Sequence, residues 1–178
     1  MKALALIFDG FEEEEAVAPF ALLRRAGIDL TIASIKDSVT GCHNITISDL
    51  TLINNINYKD FECLIIPGGP HYKFLRVSEL VHEIISYYAK NNKVLCGICA
   101  APTIFGELGY LKNKKYTCFT SMNQDFGGIY CDSGVVVDGN LITAKSVAYS
   151  LDFAYEIIKA LLGEDKLNIV LKHIYYEK

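Results

Sequence analysis

The sequence predicts an α/β fold built on a mainly parallel central sheet. Three observations carry this reading. Short apolar runs alternate with amphipathic helical stretches through most of the 178 residues. Several of those runs stop at turn-forming or acidic segments, as strands do at the carboxyl edge of such a sheet. One run, Lys93-Val-Leu-Cys96, passes through Gly97-Ile-Cys-Ala-Ala101 straight into a helical stretch, which is the local pattern of a nucleophile elbow.

Lys2 to Phe8 reads as a buried strand. Glu13 to Ala26 places Ala16, Val17, Phe20 and Leu23 on one face of a helix, and Gly27 follows as its C-cap. Ile28 to Ile35 returns as a strand. Residues 38–55 are polar and irregular, with Asn44 to Ser48 as a short edge strand. Glu62 to Ile66 is a strand stopped by Pro67-Gly68-Gly69-Pro70. Ser78 suits the N-cap of a helix reaching Lys90. A helix leaves the elbow over Pro102 to Leu108. Residues 112–134 carry no clear pattern. Val135 to Thr143 reads as a hairpin with Asp138-Gly139 in its turn. A helix spans Ser146 to Leu162. The chain is expected to form one domain, 1–178, with 164–178 an appended helix or tail.

Composition excludes several classes. A 51% hydrophobic, 21% charged chain is a globular protein and not a disordered one. Net charge is −4 with no long basic run, so the electrostatic footprint for nucleic acid or an anionic membrane is missing. Asp9 and the glutamates after it cut the first apolar run too short for a signal peptide, and no stretch nears the ~18 residues of a membrane span. Six cysteines without an export signal read as reduced thiols in a cytoplasm.

Three segments meet at the carboxyl ends of the predicted strands: Asp9 to Glu15, Pro67 to His71, and Gly97 to Ala101. Cys99, at the strand-to-helix turn, is the candidate nucleophile; the bland alternative is a small core cysteine. The free N–H groups of the following helix favour its thiolate. Cys96 and Cys99 form a CxxC, but Cys96 belongs to the strand and points into the core. No second ligand pair follows, so no metal is expected. Among Glu12 to Glu15, one carboxylate must face inward, because 3.6 residues make a turn. Glu15 lies farthest into the helix; burial beside a thiol would raise its pKa and make it a proton donor. The amides of Gly68, Gly69 and Ala100 either merely turn the chain or stabilise an oxyanion. His43 and His71 are the histidines able to approach the site, and neither adjoins Cys99 in sequence.

Gly10-Phe-Glu-Glu-Glu-Glu-Ala-Val17, Leu23-Arg-Arg-Ala-Gly-Ile28, Ile66-Pro-Gly-Gly69 and Gly97-Ile-Cys-Ala-Ala-Pro102, in this order and spacing, resemble the ThiJ/PfpI superfamily. The resemblance is to its parkinsonism-associated "DJ-one" branch and bacterial relatives, and it runs from Lys2 to about Gly163. It implies a flavodoxin-like sandwich with helices on both faces of the sheet, and a homodimer. It implies that Cys99 matches the family's oxidisable cysteine and Glu15 the glutamate whose protonated carboxyl bonds that sulfur. Gly68 and Gly69 match the pocket turn. Ala100 stands where peptidase-like branches carry histidine, and Phe119 where the branch has a pocket histidine. His43 or Asn44 replaces a pocket arginine, and Ala144 to Tyr149 departs from a Gly-Pro-rich loop.

The resemblance implies a cofactor-free cysteine enzyme acting on small reactive carbonyls or glycated protein, of glyoxalase or deglycase type. Two alternatives stand beside it. One is a redox sensor or stress-response binding protein without turnover. The other is an amidase or peptidase, which requires His43 or His71 within reach of Cys99.

Overall fold

The computed structural model describes residues 1–175. In chain order the elements are β1 (Lys2–Leu6), α1 (Glu13–Arg25), β2 (Asp29–Ser34), β3 (Val39–Thr40), β4 (Thr46–Ile47), β5 (Thr51–Leu52) and β6 (Cys63–Ile66). Then come α2 (Tyr72–Leu75), α3 (Glu79–Lys90), β7 (Val94–Ile98), α4 (Ala101–Glu107), β8 (Lys115–Tyr116) and β9 (Ile129–Tyr130). The described chain closes with β10 (Val135–Asp138), β11 (Leu141–Ala144), α5 (Ser150–Leu162) and α6 (Glu164–His173).

The main sheet runs β10-β11-β7-β6-β1-β2-β5. Every pairing in it is parallel except β10 with β11. The central order β2-β1-β6-β7-β11 is the flavodoxin-like one, whose strand order reverses between β1 and β6. Strand periodicity then sorts the core into two layers. Ala3, Ala5, Cys63, Ile65, Cys96 and Ile98 face one side, under α1, α5 and α6. Leu4, Leu6, Leu64, Ile66 and Leu95 face the other, under α3 and α4. No helix among the described residues is long and apolar enough to cross a membrane.

Several boundaries differ from expectation, each for a local reason. The segment 44–48 is not an edge of the main sheet. The Gly41 N–H bonds the Ile45 carbonyl (2.9 Å), and the chain folds β4 back on β3 as a separate hairpin. The sheet edge is β5, paired with Ala33 and Ser34. In the β10–β11 hairpin Asp138 is already paired with Leu141, so the turn is Gly139-Asn140, with Gly139 at φ +63°. The helix expected from Ser146 starts at Ser150; residues 147–149 form a 3-10 turn after an extended Ser146, φ −171°. The irregular 112–134 region contributes β8 and β9, a two-residue parallel pair. The appended C-terminal helix is α6; residues 176–178 of that predicted segment lie outside the described residues.

Candidate functional site

The site sits where the strand order reverses, at the carboxyl ends of β1, β6 and β7. Strand β7 delivers Cys99 and α4 leaves at Ala101. Cys99 has φ +62°, a left-handed conformation that costs an L-residue about 1–2 kcal/mol. The surroundings hold it there. Its N–H donates to the Ala144 carbonyl of β11, and its carbonyl accepts from the Phe119 N–H, both at 2.9 Å. This is the strained strand-turn-helix that presents a nucleophile. Gly97 permits it, since a Cβ there would meet the Phe105 ring at 2.6 Å.

Helix α1 supplies the carboxylates. Residues 13 and 15 are separated by about 200° on a helix, so they face opposite sides. Both are nevertheless buried, Glu13 to 5% exposure and Glu15 to 1%. One inward glutamate was expected; the β3–β4 hairpin covers the second. Glu15 reaches the elbow, where its carboxyl hydrogen-bonds Cys99 and its Oε2 accepts the Gly68 N–H at 2.9 Å. Glu13 reaches the hairpin, where its Oε1 accepts the N–H groups of His43 (2.7 Å) and Ile45 (3.3 Å).

The two buried carboxyls titrate in opposite directions. Burial drives Glu15 up to about 7, more than the bonds from Cys99 and Gly68 pull it down, and the charges of Glu12 and Glu14 add to the rise. Burial also works to raise Glu13, but its own N–H, those of His43 and Ile45, and the Cys42 thiol hold it below the usual carboxylate range. More hydrogen-bond donors at Glu13, together with the deeper desolvation of Glu15, separate the anion from the carboxyl that can carry a proton at neutral pH.

Cys99 is partly buried. The N–H groups of Ala100 and Gly69 point at its sulfur and favour the thiolate, in the direction the elbow predicts. They do not prevail alone: burial, then the Glu15 charge and its hydrogen bond, push the thiol well above its ordinary range. The sulfur and the carboxyl therefore titrate as one pair. The pair loses its first proton near neutrality and keeps the second far higher, so one proton lies between Glu15 and Cys99.

The glycine turn after β6 is shaped by close approach. A Cβ on Gly68 would stand 2.5 Å from Glu15 Oε2 and 2.6 Å from Cys99 Cβ. Gly69, at φ +96°, abuts the backbone of Gly10, Phe11 and Glu12. The Gly68 amide, expected as an oxyanion donor, is taken by Glu15; Gly69 and Ala100 are the amides turned to Cys99.

The histidines are engaged elsewhere. His71 is 2% exposed, its Nε2 is 2.8 Å from the Pro67 carbonyl, and burial lowers it to about 4, so the ring is neutral. His43 Nε2 lies 3.2 Å from Glu12 Oε2. Phe119 touches the site through its backbone, and the residue is 43% exposed. Cys96 is fully buried, with its sulfur 3.6 Å from that of Cys63, so the CxxC is divided between core and site.

Comparison with known proteins gives five likenesses. Residues 1–160 match the profile of the DJ-1/PfpI family. Drosophila melanogaster protein dj-1beta is 30% identical over 176 residues, covering 96% of this chain and 94% of the relative. The crystal structure of Drosophila DJ-1beta superposes with TM-score 0.91 at 29% identity, covering 99% and 98% of the two chains. A protein named deglycase from Thermococcus kodakarensis is 28% identical over 165 residues, 90% of this chain and 99% of its own. Against "Protein DJ-1 homolog B" of Arabidopsis thaliana, 29% identical, this chain spans only 39% of the relative's length.

Proposed function

The chain belongs to the DJ-1/PfpI family, and from that premise we propose that it is a cysteine enzyme acting on reactive carbonyls, of glyoxalase or deglycase type. Relatives named deglycase support the class. The observation that carries the reading is the Glu15–Cys99 pair. A strained nucleophilic sulfur shares a proton with a carboxyl that titrates at about 7.

The chemistry follows for a 2-oxoaldehyde. The sulfur adds to the aldehyde carbon; a C–S bond forms, the C=O π bond breaks, and the shared proton goes to the oxygen. The product is a hemithioacetal. Glu15, now a carboxylate, removes the proton from that carbon and returns it to the neighbouring carbon through an enediol, while the hydroxyl proton of the first carbon passes to the oxygen of the second. The carbon skeleton thereby becomes a 2-hydroxy thioester, with no net oxidation. Water hydrolyses the thioester, releasing the 2-hydroxy acid and the Cys99 thiol. The amides of Gly69 and Ala100, which point at the sulfur, stabilise negative charge beside it. Glycated protein joins the scheme at its hemiaminal carbon, where the C–S bond forms as the C–N bond breaks and the protein amine leaves with the shared proton, giving the same hemithioacetal. No metal or cofactor takes part in this scheme.

The same donors favour a second reading, a redox sensor without turnover. An oxidised Cys99 carries oxygens that Gly69, Ala100 and a protonated Glu15 would bind. The amidase reading has no comparable support, because His71 is bound to Pro67 and His43 to Glu12. We take the protein as a single domain over 1–178, in a reducing cytoplasm that suits its six free thiols. It works as a homodimer through the exposed apolar groove of Val17, Ala18, Ala21, Ile45 and Val147.

The test is methylglyoxal turnover to lactate by pure protein in amine-free buffer, beside Cys99→Ala. Many turnovers, lost in the variant, are expected. A protein that turns over nothing but gains mass at Cys99 with peroxide is the sensor instead.

A further inference from the structure

Four donor side chains converge beside the candidate site without belonging to it. Glu12 and Glu13 come from the start of α1; Cys42 and His43 come from the turn between β3 and β4. Cys42 Sγ stands 3.1 Å from Glu12 Oε2 and 3.6 Å from Glu13 Oε2, and His43 Nε2 is 3.2 Å from Glu12 Oε2. All four donor atoms fall within 4.8 Å of one another.

The set has the chemistry and the shape of a coordination sphere. It is not merely acidic: a thiol and an imidazole select a borderline transition ion over Mg²⁺ or Ca²⁺, which take oxygen. Bond lengths of about 2.0–2.3 Å to zinc put tetrahedral donors about 3.3–3.7 Å apart, the scale of the distances here. Glu13 is already oriented. Its Oε1 is occupied by the amides of His43 and Ile45, which leaves Oε2 toward Cys42. The support a metal ligand needs behind it is thus in place at the most buried donor. Gly41 fixes the approach, because a Cβ there would collide with the Glu13 carboxyl.

We infer that Glu12, Glu13, Cys42 and His43 form a binding site for Zn²⁺, one donor atom from each. On binding, a Zn–S bond forms and the Cys42 proton leaves to solvent. The carboxylates and the imidazole bind through lone pairs they already carry. This inference does not depend on the reaction assigned to Cys99.

The test uses the full chain carrying Cys99→Ser, which removes the other accessible thiol of the site region. Zn²⁺ uptake is followed by competition with a chromophoric chelator. Co²⁺ is then used as a spectroscopic substitute, its thiolate charge-transfer band in the near ultraviolet reporting a sulfur ligand. One equivalent is expected, with the band present. Adding Cys42→Ser should abolish the band and the tight equivalent. Adding His43→Ala instead, at a side chain 68% exposed and so harmless to folding, should weaken Zn²⁺ by more than about tenfold. No uptake by the Cys99→Ser chain overturns the site. So does uptake indifferent to either substitution, and circular dichroism of each variant separates lost binding from lost fold.

Discussion

The Glu15 carboxyl and the Cys99 sulfur are joined by a hydrogen bond at the reversal point of the sheet, and above about pH 7 the buried pair shares one proton. Its titration should be visible in the reactivity of the sulfur. The rate of Cys99 alkylation by iodoacetamide is expected to rise through an inflection near 7. In Glu15→Gln the neighbouring charge is gone and the inflection should leave that region. Alkylation of single cysteines against pH, read by mass spectrometry, decides this; an unchanged profile in the variant would sink the shared-proton account.

The same carboxyl makes a stability prediction. Its pKa is about 7 in the fold against 4.5 ordinarily, so the folded state binds the proton more tightly. The protonated form contributes its stability fully below about pH 4.5. That contribution drains away between 4.5 and 7, and above 7 the fold bears a buried charge. A shift of this size corresponds to about 3 kcal/mol as an upper figure. Glu15→Gln keeps an acceptor for the Gly68 N–H and carries no charge. It should therefore be more stable than the wild type at pH 8 and close to it at pH 4.5, as measured by urea midpoints.

Gly68 is held by space and not by backbone angle. Gly68→Ala would drive a methyl group against Glu15 Oε2 and Cys99 Cβ. A loss of about 1–3 kcal/mol is expected, as for other forced overpacking, with a slower alkylation of Cys99 because the pair is displaced. Urea unfolding and alkylation rates on one preparation test both halves.

The large features were legible for physical reasons. Cys99 announced itself because an elbow needs small neighbours on both sides, Gly97 and Ala100, and those are visible in the chain. Glu15 was one of four glutamates; its place farthest into the helix made it the candidate and the resemblance matched it to the family glutamate, while helical period alone gave no reason to bury Glu13 as well. That burial depends on the hairpin turning at Gly41, a tertiary event with a weak local signature. The same turn brings Cys42 and His43 to α1, across about thirty residues. Metal-ligand spacing read along the chain had no means of finding donors assembled that way. For Gly68, sequence places an amide in a turn but not the partner it faces, which is Glu15.

Strain at the elbow is also measurable. Cys99 holds φ +62°, which glycine adopts freely and alanine does not. Cys99→Gly should be more stable than Cys99→Ala by about 0.5–1 kcal/mol. The left-handed penalty of about 1–2 kcal/mol is relieved, while glycine's looser unfolded chain takes back about 0.4–1 kcal/mol. Thermal or urea unfolding of the two variants gives the sign directly; alanine as the more stable of the two would show that the elbow relaxes.

The dimer proposal rests on an apolar strip that water would otherwise cover. Val17 is 46% exposed on the outer face of α1, Ile45 is 55% exposed on the hairpin beside it, and Val147 is 37% exposed. Ala18 and Ala21 leave room between them for a second helix to approach closely. A charge placed in that contact must be desolvated without a partner, so Val17→Glu should convert a dimer into a monomer. In the separated chain Val17 already faces water, and its substitution should leave circular dichroism unchanged. Sedimentation equilibrium of wild type and variant tests this. A wild type that is monomeric at micromolar concentration removes the dimer, whereas a dimer in both proteins moves the interface to another face.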